Sequence, residues 1–134
     1  MRVSTRHAMV GLVSLAILSL VHWYRKQHYE SLEFVQYIVG IAPNFLAAIA
    51  MPFVLLSMWT EQDPVSIVST RRNRFLILTG ITGIGLVAWE YMQRSSRTLV
   101  FDYHDIGATI AGLSVAWLTF VLLNTKHRSA SDSD

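Results

Sequence analysis

The sequence predicts an all-α fold, an integral membrane four-helix transmembrane bundle, and three observations carry that prediction. Four apolar runs, residues 8–24, 35–59, 75–91 and 106–123, are almost free of charge. Each is about 17–25 residues long, the length a helix needs to cross a hydrocarbon core roughly 30 Å thick. Of the 134 residues, 52% are hydrophobic, and the runs lack the polar face that a soluble helix turns to water. Backbone groups in lipid have to be satisfied within the segment, so such spans are helical. The competing reading is a soluble bundle of four buried helices. At this length one domain is expected. The spans occupy residues 1–125, and residues 126–134 form a polar tail predicted to be disordered.

The first run follows Arg2 and Arg6, as a secretory signal would. It ends in His22-Trp23-Tyr24-Arg25-Lys26 with no small-x-small cleavage pattern, which makes it a retained anchor. The second contains Pro43, Asn44 and Pro52. Each proline removes a backbone hydrogen bond, freeing the carbonyls of Val39 and Ala48, and bends a helix unless it lies in the first turn. The span is therefore either one long kinked helix or an outer piece near residues 35–41 with a spanning helix from Pro43. Asn44 is the only strongly polar side chain well inside it, and it serves either as packing glue between helices or as part of a site.

The third run carries Thr79, Gly80, Thr82, Gly83 and Gly85, small residues that let helices approach closely. Glu90 and Gln93, three apart, share a face at its end. The fourth opens as DYHDIGATIAG, residues 102–112. Asp102 or Asp105 can cap it, and Asp105, Thr109 and Gly112 fall on one stripe. Residues 60–73 connect the middle spans through an Asp63-Pro64 turn. Arg71, Arg72, Asn73 and Arg74 follow it, an anchor rather than an anionic-lipid site.

Four spans put both termini on one side. That side collects Arg2, Arg6, Arg71, Arg72, Arg74, Lys126 and Arg128, against Arg25, Lys26, Arg94 and Arg97 opposite. By the positive-inside rule both termini are cytoplasmic, in the cell (inner) membrane. Trp23, Tyr24, Trp59, Trp89 and Tyr91 sit near span ends, as interfacial aromatics do. The net charge of +2 does not point to nucleic acid, because the basic residues lie where topology explains them. The absence of cysteine excludes disulfide and thiolate chemistry.

Chemistry-bearing residues concentrate between residues 88 and 112. Carboxylates at the rim of a hydrocarbon layer are costly and are retained where they pair or act. Glu90 ends one span and Asp105 begins the next, so both lie at one depth on one side. Asn44 approaches from roughly 10–15 Å deeper, at 1.5 Å per residue. Arg97, in the loop between the acids, can bind a carboxylate in bidentate fashion. The expected network of Glu90, Arg97 and Asp105 is either a structural clasp or a polar pocket opening outward above Asn44.

These residues resemble the VanZ-like family of small bacterial membrane proteins, named after a teicoplanin-resistance accessory protein. The matching positions are Asn44 with Pro52-Phe53, Glu90 with Gln93, Arg97, Asp102, and DIGATIAG from Asp105 to Gly112. The likeness covers roughly residues 40–120. Ala108-Thr109 stands where the family often has an Asn, and the family's early loop signature is at best echoed by His28-Tyr29-Glu30. The resemblance implies a cell-envelope location and an association with glycopeptide response, without a defined reaction.

Three functions fit. The first is a non-catalytic envelope protein whose outward polar pocket, built from Asn44, Glu90, Gln93, Arg97, Asp102, Asp105 and Thr109, binds or shields a cell-wall precursor or lipid. The second is a small intramembrane enzyme using Glu90 and Asp105 as an acid–base pair, with His104 as a further candidate. Against it, Ser95, Ser96 and Thr109 lack an evident base, and Glu90, His104 and Asp105 have no metal-ligand spacing. The third is a transporter or channel subunit, which would need a homo-oligomer. No cofactor is expected, and the bilayer is the one partner implied by every reading.

Overall fold

The computed structural model describes residues 2–27, 32–62, 68–94 and 102–129. They form four α-helices: α1 Val3–Gln27, α2 Glu33–Gln62, α3 Val68–Arg94 and α4 Tyr103–Ser129. Each helix contains a span long and apolar enough to cross a membrane. The chain is a multi-pass, all-α membrane protein.

Its exterior is apolar, unlike that of a soluble bundle. Leu12, Leu20, Ile84, Ile110 and Leu118 point away from the protein, whereas His7, Thr82, Glu90 and Thr109 are buried. Lipid offers apolar groups no reason to hide and polar groups no partner, so the polar groups gather between helices. Trp23, Trp89, Tyr91 and Tyr103 are exposed near helix ends, where an amphipathic ring meets both lipid and water.

Helix α2 packs against all three others. It is one continuous helix, with Pro43 and Pro52 both inside it, so the two-piece alternative for the second span is set aside. Proline removes one amide and frees one carbonyl, a local cost that neighbouring helices can absorb. At Pro52 that packing is tight: Ala48, whose carbonyl is freed, and Phe53 are fully buried.

Two glycines let α2 come close to its neighbours. A methyl group on Gly112 of α4 would lie 2.4 Å from the Phe45 carbonyl oxygen and 2.8 Å from the Ala48 Cβ. One on Gly11 of α1 would lie 2.6 Å from a Val54 methyl. The glycines of α3 divide differently from expectation. Gly83 meets Leu113 of α4, but a methyl at Gly80 or Gly85 would have nothing within 4 Å. Those two lie on the outer face of α3 and pack against no other helix.

The core stripes follow helical spacing: Ile49, Phe53 and Leu56 on α2, Phe75 and Leu78 on α3, Ala116 and Phe120 on α4. At their centre the rings of Phe75 and Phe120 stack at 4.3 Å and 8°, and Phe53 leans on Phe75 at 5.1 Å. Helix α4 continues to Ser129, into the segment the sequence assigns to the polar tail; residues 130–134 lie outside the described residues.

Candidate functional site

Glu90 lies on the stripe that runs from Phe75 through Leu78 and Thr82 of α3, all buried, and its carboxylate therefore projects between helices. It is 1% exposed. The Asn44 amide donates to its Oε1 at 2.8 Å, and the Gln93 amide donates to the same oxygen at 3.0 Å. The second oxygen, Oε2, is buried and has no hydrogen-bond partner among the described residues.

The three-residue spacing of Glu90 and Gln93 explains the second bond, since residues three apart share a helix face. The first is set by helix register. Asn44 is eleven residues into α2 and Glu90 four residues before the end of α3. At 1.5 Å per residue, α2 thus extends past α3 by on the order of 10 Å. Asn44 does not lie beneath the acids, as its sequence depth implied. It is level with Glu90 and bonded to it.

Asp105 approaches this pair from α4. The residue is half-buried, and its carboxyl lies within reach of the Glu90 charge and of the Asn44 side chain. Asn44 therefore stands between two carboxyl groups on two different helices. Thr109, one turn on, is 1% exposed and donates its hydroxyl to the Asp105 carbonyl oxygen at 2.9 Å. That bond ties Thr109 to its own helix, so it contributes shape rather than a reactive hydroxyl. Arg97, with Ser95 and Ser96, lies outside the described residues.

Asp102 takes the capping role. Its Oδ1 accepts the His104 backbone N–H at 2.9 Å and the His104 ring Nδ1–H at 2.7 Å, the arrangement that satisfies an orphan amide at a helix start. Those two hydrogen bonds hold the Asp102 carboxyl below the usual aspartate range. His104 is thereby turned to Asp102 and to the edge of Tyr37, 5.4 Å away, rather than to Glu90. Among the described residues no three His, Asp or Glu side chains gather in a way that could hold a metal ion.

Beside the polar residues, α2 and α4 enclose an open groove of about 550 Å³ lined by Tyr37, Ile41, Phe45, His104, Ala108 and Ala111 among others. Tyr37 was not singled out from sequence. An aromatic at a span start reads as an ordinary interfacial anchor, and only its packing on His104 marks it out. His7, treated below, was missed too; its signal is the buried stripe His7, Gly11 and Ser14 at helical spacing on α1.

Compared with protein-family models, curated proteins and solved structures, the chain matches none. The likeness to VanZ-like proteins thus stands on the sequence motifs alone.

Proposed function

We propose that this is a VanZ-like protein of the bacterial cell membrane in which Glu90, with Asn44, Gln93, Asp105 and Thr109 around it, forms a polar pocket opening outward. In this reading the pocket receives a hydrogen-bond-donating or cationic group of a cell-wall precursor or lipid. The single observation that carries it is the division of labour on Glu90: one oxygen is held by two amides and the other is buried without a partner among the described residues. A buried acceptor left unpaired is costly, and a ligand donor removes that cost. An amine is favoured over an anion because Asp105 adds a second carboxyl beside the first. The groove between α2 and α4 offers a hydrocarbon chain a place to lie next to it. Through the family resemblance, the biological consequence is altered glycopeptide susceptibility.

A direct test is binding by the purified full chain in nanodiscs. Lipids with a primary-amine headgroup and a lipid-linked cell-wall precursor are compared with phosphatidylcholine, whose quaternary amine donates no hydrogen bond. The wild-type chain retains an amine or precursor in preference, and Glu90→Gln loses that preference. Equal retention of all lipids by both proteins would remove the pocket.

A further inference from the structure

Arg71 occupies an unexpected place for a topological anchor. It lies four residues before Phe75 and seven before Leu78, both buried, so the core stripe of α3 runs back into a guanidinium. An arginine serving only the positive-inside rule keeps its head in water; neighbouring Arg72 is exposed in this way. The Arg71 Nε is instead buried and has no hydrogen-bond partner among the described residues.

His7 of α1 faces the same region. It is 1% exposed, with its ring 5.9 Å from each of the Phe53 and Phe120 rings. Its Nδ1 is also buried without a partner among the described residues, and the Arg71 charge acts on the ring. Arg74, one turn along α3, lies over the Trp59 ring at 4.9 Å, adding a second cation at this end. The carboxylate here among the described residues, Glu61, faces Arg2 at 3.6 Å with both side chains well exposed. Two buried nitrogens that can donate and, among the described residues, a carboxylate engaged elsewhere call for an oxyanion.

We propose that His7, as its Nδ1–H tautomer, and Arg71 bind a phosphate-type oxyanion at the end of the bundle where the termini lie. The site stands apart from Glu90: Arg71 lies nineteen positions before it on α3, on the order of 28 Å at 1.5 Å per residue. It is thus independent of the reading given for that pocket. Arg71 lies in the first turn of α3, at the end of a candidate membrane span, where a bilayer carries its headgroups. The same chemistry is offered by a phospholipid headgroup or by free phosphate.

The full chain is reconstituted in nanodiscs of phosphatidylcholine with and without phosphatidylglycerol, and retained lipid is read by native mass spectrometry. In a second arm, inorganic phosphate is titrated while the histidine ring nitrogens are followed by NMR, with His7→Phe assigning the resonance. Preferential retention of phosphatidylglycerol identifies a headgroup; a saturable His7 shift with inorganic phosphate identifies the free anion. Arg71→Gln lowers retention or affinity about tenfold, the equivalent of one charge-assisted hydrogen bond, and Arg72→Gln leaves it unchanged. Should Arg71→Gln fail to fold, Arg71→Lys keeps the charge without the Nε donor and gives a smaller loss in the same direction. No preference and no shift in the wild type, or identical behaviour of the Arg71 and Arg72 variants, overturns the proposal.

Discussion

The two halves of the bundle are held by different physics. Around Phe53, Phe75 and Phe120 the helices meet through stacked rings, and the interaction is complete: each ring has its partners and no polar atom of these side chains needs one. Around Glu90 they meet through hydrogen bonds among Asn44, Glu90 and Gln93, and among the described residues the interaction is incomplete, since one carboxylate oxygen is buried without a partner there. In lipid, where apolar burial gives little drive, dispersion and hydrogen bonds both have to hold helices together. The half that leaves a strong acceptor unused is the half in which we place a ligand.

The sharpest way to break this comparison is to remove a ring. Phe75→Ala leaves a cavity against Phe53 and Phe120 and should destabilise the fold by about 3 kcal/mol, near the lower end for such truncations because lipid weakens the transfer part. Unfolding in mixed micelles measures it. Gly112→Ala comes next. Its new methyl group meets the Phe45 carbonyl oxygen at 2.4 Å, so α4 must move from α2 at a cost of about 2 kcal/mol. Gly85→Ala, with open space around it, should cost nothing measurable in the same assay. Equal losses at the two glycines would contradict the packing described for α2 and α4.

Glu90→Leu tests the polar half. It strips the acceptor from the Asn44 and Gln93 amides, and about 2 kcal/mol should be lost for the buried donors left behind. The smallest measurable loss belongs to Asp102. Asp102→Ala removes the α4 cap and should cost about 1 kcal/mol. Its pH dependence has a defined sign. The folded Asp102 carboxyl is held below its ordinary value by its bonds from His104. The cap therefore contributes fully above the unfolded aspartate value of about 3.9 and is lost as pH falls through the lower folded value. Melting curves of wild type and Asp102→Ala should converge in that acid window and separate above it.

Much of this architecture was legible because helix spacing and span length are local properties. The four spans follow from apolar run length alone, and the Glu90–Gln93 bond follows from a three-residue interval. The Asn44–Glu90 bond did not, because it depends on how far α2 extends past α3, which no local pattern encodes. The continuity of α2 through Pro43 and Pro52 was likewise open, since a proline's local cost is decided by tertiary packing. Gly80 and Gly85 look like packing residues in sequence, yet only Gly83 meets another helix, because α3 turns one face alone to α4. His7 carried no motif. A single histidine in an apolar run gains meaning only when Phe53, Phe120 and Arg71 are placed around it.

The central claim is that Glu90 serves a ligand through the oxygen its neighbours do not use, and Glu90→Gln measures this most directly. The amide side chain keeps one oxygen for Asn44 and Gln93 but replaces the unpaired acceptor with a donor and removes the charge. Membrane abundance and unfolding in detergent should match wild type, while the preferential retention of amine lipid or cell-wall precursor proposed for the intact protein is lost. A variant that is as abundant, as stable and as active as wild type would contradict the account. A variant that loses activity only in proportion to its stability would make Glu90 a structural clasp.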